Sequence, residues 1–217
     1  MARLAVVGGH SILGSSYAAT DGVLVLQRHG DPYTPPHLID HEANLRAVVA
    51  QGCDRVLALS SVGGLRAELG VGTFLAPDDF VSLHTSVSTL RDARGHIVPS
   101  LCSPWRDRVV AAWRARVDDV APLRDGGVYW QSLGPRFETA AEIRLIAQHA
   151  DVVGMTMASE CIVAQELGLL YACVCIVDNL ANGIGPRPLT FDEFEAGKAA
   201  NREALFNALD GVIRDLL

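Results

Sequence analysis

An α/β fold, with a central sheet covered by helices on both faces, is predicted by three observations. Short β-branched-rich apolar runs alternate along the chain with longer amphipathic stretches. The short runs are apolar without a polar alternate, as strands buried on both faces are. Hydrophobic residues make up 49% of the chain but aromatic residues only 6%, and 20 glycines are interspersed, a composition that lets helices pack closely on a sheet. At 217 residues the chain fits one domain spanning residues 1–217, with a core large enough to do without disulfides or structural metal.

The elements follow in order. Leu4–Val7 and Val23–Leu26 read as the first two strands, separated only by the short Ser- and Ala-rich passage within Gly8–Gly22. A helix is expected over Asp40–Gln51, then a strand over Val56–Leu59 running into a Gly-rich turn. Leu83–Ser103 mixes polar residues with Gly95 and Pro99 and is read as a long loop near a site or an interface. Helices over Trp105–Val117, Thr139–His149 and Ser159–Leu167 alternate with strands at Val152–Val153 and Tyr171–Val177. The last helix, Phe191–Leu217, has the clearest start: Thr190 and Glu193 form a candidate capping box after the Pro-rich turn Gly185–Pro188.

Charge and cysteine usage exclude several classes. The formal net charge is −7 and no basic run gathers the cations, so nucleic acid and acidic membrane surfaces are not expected partners. Five cysteines, odd in number, lie mostly in apolar runs with no CxxC pair, and read as buried free thiols of a reducing compartment. Neither a secretory leader nor a membrane-spanning stretch is recognisable, and a cytoplasmic location is expected.

Chemistry-bearing groups recur where strands end. Gly8-Gly9-His10-Ser11 offers backbone amides and a hydroxyl to an anion, although a plain tight turn fits as well. A dinucleotide fingerprint is not matched there. Arg28-His29 sets a permanent cation beside an imidazole, suited to oxyanions, and equally to a surface pair. Ser60-Ser61 ends the next strand in hydroxyls, the rival reading being an ordinary strand-to-turn junction. Three strand ends suited to one anion reinforce each other, because ligands of open α/β sheets sit beyond the carboxyl ends of the strands.

Two further segments suit a flat heterocycle. Phe137 can stack on a planar base while Glu138 accepts N–H bonds from its edge, or the pair is a core plug and an acidic helix start. Asp178-Asn179-Leu180-Ala181 ends the most apolar strand in polar groups, either an Asx-rich turn or a purine contact through Asn179. Between them, Met155-Thr156 leads from a strand into a helix N-terminus, where amides face outward, unless the methionine is core filler.

Taken together, RHG at Arg28–Gly30, PPH and EAN within Pro35–Asn44, SSVGGL at Ser60–Leu65, GPRFETAAE at Gly134–Glu142 and GMT at Gly154–Thr156 make the chain similar to the trimeric purine nucleoside phosphorylase and methylthioadenosine phosphorylase family. In its base-site motifs it most resembles methylthioinosine phosphorylases. The resemblance implies a single-domain twisted mixed sheet flanked by helices, a homotrimer with sites near subunit interfaces, and phosphorolysis of a purine nucleoside to free base and a ribose 1-phosphate. It implies no metal and no organic cofactor, inorganic phosphate being the co-substrate. By position, phosphate would meet Gly9, His10, Ser11, Arg28, His29, Ser60, Ser61 and Thr156. Met155 would pack on the ribose, Phe137 on the base, and His96 would lie near the ribose 5′ group.

Departures from the family set the expected specificity. Asn179, Ala181 and Glu138 stand where adenine-specific members have Asp, Asp and Ser. Hypoxanthine and guanine present an N–H at N1 and a carbonyl at C6, so Glu138 suits the former and the Asn179 amide serves O6 and N7. A 6-oxopurine nucleoside such as inosine or 5′-methylthioinosine is therefore expected. Arg28, Asn179 and Asp178 are the expected catalytic residues, Asp178 through proton delivery to N7. His10 replaces a usual Thr or Ser, and the hairpin usual before RHG is missing, which would alter phosphate affinity. A nucleoside hydrolase of the same superfamily and a silent purine-binding protein are the alternatives.

Overall fold

The computed structural model describes residues 3–9, 12, 22–84 and 86–217. Among them, nine strands form one mixed sheet and five α-helices flank it. The strands are β1 (Arg3–Gly8), β2 (Val23–Gln27), β3 (Cys53–Gly64), β4 (Phe74–Ala76), β5 (Asp79–Val81), β6 (Leu123–Asp125), β7 (Val128–Gln131), β8 (Val152–Gly154) and β9 (Leu170–Leu180). The helices are α1 (His41–Ala50), α2 (Pro104–Arg116), α3 (Ala140–Ile146), α4 (Met157–Glu166) and α5 (Phe191–Leu216). The predicted α/β class holds, and each predicted strand and helix is present.

The long strand β3 organises the sheet. Its first half pairs in parallel with β1 and nearly its whole length in parallel with β9, while Gly63 and Gly64 at its end also pair antiparallel with β8. Two arms grow from it: β8, β7 and β5 on one side, and β9, β4 and β6 on the other, with β2 joined through β1. Strands buried on both faces need an apolar residue at every position. Alternate residues of β3 accordingly enter two cores. Leu57 and Leu59 pack with Trp113 of α2 and Leu209 of α5, whereas Val56 and Ala58 pack with Leu45 of α1 and Cys161 of α4. A third cluster joins Ile143 and Ile146 of α3 to Trp130 and Val153.

Helix starts follow their caps. Asp40 accepts from Ala43 N at 2.8 Å to begin α1, and Ser103 with Pro104 at the first helical position begins α2. Both α3 and α5 carry complete capping boxes, Thr139 with Glu142 and Thr190 with Glu193, the second of which the sequence predicts. The four strands absent from the sequence reading, β4, β5, β6 and β7, have only three or four residues each. Runs so short carry no periodicity; they become strands because β9 and β8 offer them paired edges.

The Leu83–Ser103 stretch is a loop containing one short 3-10 turn, Ala93–Gly95. The carboxylate of Glu166, at the end of α4, holds it by accepting from Thr89 N at 2.5 Å and Ser88 Oγ at 2.7 Å. Four of the five cysteines are buried as expected; Cys102 is exposed, a correction that follows from its place in this loop. Among the described residues no helix is long and apolar enough to cross a membrane.

Candidate active site

The carboxyl ends of β1, β3, β8 and β9 open into one cavity, which the β7–α3 loop and the first turn of α5 also line. Gly9, Arg28, His29, Ser60, Ser61 and Thr156 line it, and so do Phe137, Glu138, Met155, Asn179 and Ala181. Eleven positions scattered from residue 9 to residue 181 are thus brought together. His10 and Ser11 lie outside the described residues.

Arg28 is buried and tightly held. Its Nε and Nη2 donate to the carboxylate of Glu160 in the first turn of α4 at 2.5 and 2.8 Å, and Nη1 donates to the Leu59 carbonyl at 3.1 Å. The guanidinium pKa is raised: the Glu160 carboxylate outweighs the burial that opposes the charge. Tyr171 Oη donates to the same carboxylate at 3.0 Å, fixing it further. Gly9 has to be glycine for this packing, because a Cβ there would lie 2.7 Å from Arg28 Nη1. Asn44 of α1 fixes the backbone by donating to the Arg28 carbonyl at 2.9 Å.

His29 is also buried, and its ring stacks on Tyr33 with centroids 5.0 Å apart. Its Nδ1 hydrogen-bonds with the Thr34 carbonyl at 2.8 Å, which makes Nδ1 the protonated nitrogen of the neutral ring and turns Nε2 toward Gly9. Burial lowers the His29 pKa, so the ring is neutral near pH 7. Thr156 is the N-cap of α4, yet its hydroxyl makes no capping bond among the described residues. Thr156 lines the cavity. The backbone N–H groups that open α4 are already engaged, those of Thr156 and Met157 donating to Tyr129 Oη at 3.3 and 3.4 Å and that of Ser159 to Gln131 Oε1 at 2.9 Å, which leaves the Thr156 hydroxyl as the group available to an anion.

Another part of the lining is aromatic and acidic. Phe137 meets Phe194 of α5 edge-on with centroids 5.8 Å apart, and Phe191 extends the surface. Glu138 is 8% exposed, and among the described residues its Oε1 has no hydrogen-bond partner. A buried carboxylate oxygen without a donor is costly unless a ligand supplies one. Asn179 lines the same cavity and donates from Nδ2 to the Leu180 carbonyl at 2.9 Å.

Two expected site residues do not reach the cavity. Between β3 and β9 the register shifts, with Val62 opposite Val177 and Gly63 opposite Asn179, so Asp178 is the extra residue of a bulge. The bulge re-aims the chain: Asn179 lines the cavity, while the Asp178 carboxylate accepts from Ser61 Oγ and, at 2.8 Å, from Asn201 Nδ2 of α5. Asp178 is thus not placed to hand a proton to a base. His96 is exposed in the loop tied to the end of α4, about 15 Å of helix from the cavity end of α4, and does not line the cavity of its own chain. Residues that sequence reasoning missed are Glu160, Tyr33, Leu189, Phe191 and Phe194. Phe191 and Phe194, three apart in one helical turn after a Pro-rich stretch, carry a legible signal; Glu160 carries none, because only the fold brings it to Arg28.

The family model for the phosphorylase superfamily matches residues 6–214, and the chain belongs to that superfamily. Among its relatives, a probable 6-oxopurine nucleoside phosphorylase of Archaeoglobus fulgidus is 40% identical over 185 residues, covering 84% of this chain and 75% of the relative. A probable S-methyl-5′-thioinosine phosphorylase of Methanothermobacter thermautotrophicus is 35% identical over 197 residues, covering 89% and 69%. A methylthioadenosine phosphorylase of Schistosoma mansoni, solved with adenine, superposes with a TM-score of 0.79 at 21% identity over 99% of this chain and 91% of the other, which shows the fold. The family and fold expected from the motifs are confirmed.

Proposed function

We propose that this protein is a purine nucleoside phosphorylase acting on 6-oxopurine nucleosides such as inosine or 5′-methylthioinosine. One observation carries the reading: a buried Arg28 and a buried, donor-less Glu138 line a single cavity together with Phe137. The first suits an oxyanion and the second an N–H edge, the two ends that phosphorolysis of a 6-oxopurine nucleoside requires. The names of the relatives agree with it.

In this reading phosphate sits between Arg28, His29, Gly9, Ser60 and Thr156, its oxygen aligned behind C1′. The C1′–N9 bond breaks with its electron pair leaving on the purine, the phosphate oxygen bonds to C1′, and the base accepts a proton. Held reactants lower the barrier by positioning, and groups aimed at the developing purine charge lower it further. Glu138 receives N1–H, the Asn179 amide serves O6 and N7, Met155 packs on the ribose, and Ala181 leaves room where a longer side chain would intrude. His10 and Ser11 enter the phosphate loop on the family resemblance alone. Phosphate is the co-substrate, and the chemistry needs neither metal nor organic cofactor.

A homotrimer in the cytoplasm belongs to the same proposal. Beside the cavity, on the far side of Glu138, a second recess is bordered by exposed Leu133 and Leu145, apolar surface of the kind a subunit contact covers. In such an assembly His96 would act in a neighbouring subunit's site. Incubating a nucleoside panel with phosphate and separating the released bases by chromatography tests the specificity. Inosine-type substrates are expected to exceed adenosine-type ones; the reverse ranking contradicts the assignment of Glu138 and Asn179.

A further inference from the structure

Ser61 lines the cavity and is half-buried, but its hydroxyl donates to Asp178, which is 1% exposed. A serine hydroxyl has one hydrogen. While Asp178 holds that hydrogen, Ser61 offers the cavity only lone pairs, the wrong partner for an oxyanion. The groups facing the Asp178 carboxyl are few. Asn201 donates to its other oxygen, and Lys198 of α5, a cation that acts on Asp178 together with Glu195, is paired with that Glu195 at 2.6 Å.

We propose that Asp178 is a positioning residue that sets the direction of the Ser61 hydroxyl, so that oxyanion binding takes up one proton from solvent at Asp178. Ionised, Asp178 accepts the Ser61 hydrogen. Protonated, it donates to Ser61 Oγ, and the Ser61 hydrogen turns to the oxyanion. Burial, offset only in part by the bonds from Ser61 and Asn201, holds the Asp178 carboxyl above the usual carboxylate range, which brings the protonated form within reach. The fold makes the pairing through the bulge at Asp178 and through Gly197, where a Cβ would overlap the Asp178 carbonyl; without that close approach Asn201 would not reach the carboxylate.

This proposal rests on reading the Arg28 wall as an oxyanion site. The test is the affinity of the full-length protein for sulfate, which stays a dianion throughout, measured calorimetrically between about pH 5 and about pH 8, the range in which perturbed carboxyls and imidazoles titrate. Wild-type affinity is expected to fall with rising pH. In Asp178→Asn the amide oxygen faces Asn201 and its NH2 donates permanently to Ser61. That variant is expected to match wild type at the acid end and to bind about tenfold more tightly at the alkaline end, the worth of one charge-assisted hydrogen bond. Ser61→Ala, which leaves Asp178 with Asn201, is expected to bind weakly throughout and to take up fewer protons than wild type, read from binding heats in two buffers of different ionisation enthalpy. Titration of His29 is common to all three proteins and cancels in the comparison. Parallel profiles for wild type and Asp178→Asn, or a full pH dependence retained in Ser61→Ala, overturn the coupling. Absence of sulfate binding in every protein at every pH overturns the oxyanion site itself, and the coupling with it.

Discussion

Arg28 and Glu160, 132 residues apart, close a two-point ion pair, Nε to Oε2 at 2.5 Å and Nη2 to Oε1 at 2.8 Å, with both side chains 1% exposed. The pair joins the end of β2 to the first turn of α4 and holds the guanidinium at the cavity wall. Breaking a buried pair from one side leaves the other charge uncompensated. Glu160→Ala should therefore destabilise the protein by about 3–5 kcal/mol. Urea denaturation measures it, and a loss below about 1 kcal/mol, as for an exposed pair, contradicts this account.

Arg28→Lys keeps the charge and loses the fork. A lysine ammonium cannot span both Glu160 oxygens while presenting a donor to the cavity. Catalytic efficiency toward phosphate should drop on the order of 100-fold, as for the loss of one preorganised oxyanion donor. Phosphate titrations at saturating nucleoside give the number; an unchanged efficiency removes Arg28 from the phosphate site.

Base preference should follow hydrogen-bond polarity. Asn179→Asp turns an amide that can donate to O6 or N7 into an acceptor, and Glu138→Gln weakens the acceptor for N1–H. Each mismatch left buried costs roughly 1–3 kcal/mol, or about 5- to 150-fold. Both variants should lose inosine turnover, and Asn179→Asp should gain relative activity on adenosine-type nucleosides. Competition between the two nucleoside types in one reaction reads the ratio directly, and an unmoved ratio in Asn179→Asp contradicts the base assignment.

Acid stability should carry the mark of His41. This first residue of α1 is buried, its Nδ1 lacks a partner among the described residues, and burial pushes its pKa from 6.5 down to about 4. Below pH 6.5 the unfolded chain takes up a proton that the native imidazole refuses until about pH 4, so stability falls on acidification across that interval. The loss amounts to about 3 kcal/mol. Denaturation at neutral pH and near pH 4 isolates it by comparison with His41→Gln, which should lose that much less; identical slopes refute the assignment.

Much of the architecture is legible in the sequence because its long elements carry their own signals. Tyr171–Val177 is apolar without a break, and Thr190 with Glu193 announces α5. What escapes is context. Phe74–Ala76 is a strand because β9 leaves an edge for it, and no local pattern says so. In the site, strand-end residues such as Arg28, Ser60 and Asn179 are legible because strand ends of an open sheet converge. Asp178 and Glu160 are not. A one-residue bulge turns Asp178 away from its neighbour Asn179, and Glu160 meets Arg28 only through the packing of α4. His96 lies apart from the cavity of its own chain for a related reason, since the loop that carries it is tied by Glu166 to the far end of α4.

The claim on which the rest depends is that an oxyanion and a nucleoside meet in one cavity. Release of hypoxanthine from inosine, followed with and without inorganic phosphate and with ribose 1-phosphate quantified alongside, tests it most directly. The account predicts that release requires phosphate and that one ribose 1-phosphate appears for each base. Equal release in the absence of phosphate, with free ribose as the sugar product, would contradict it.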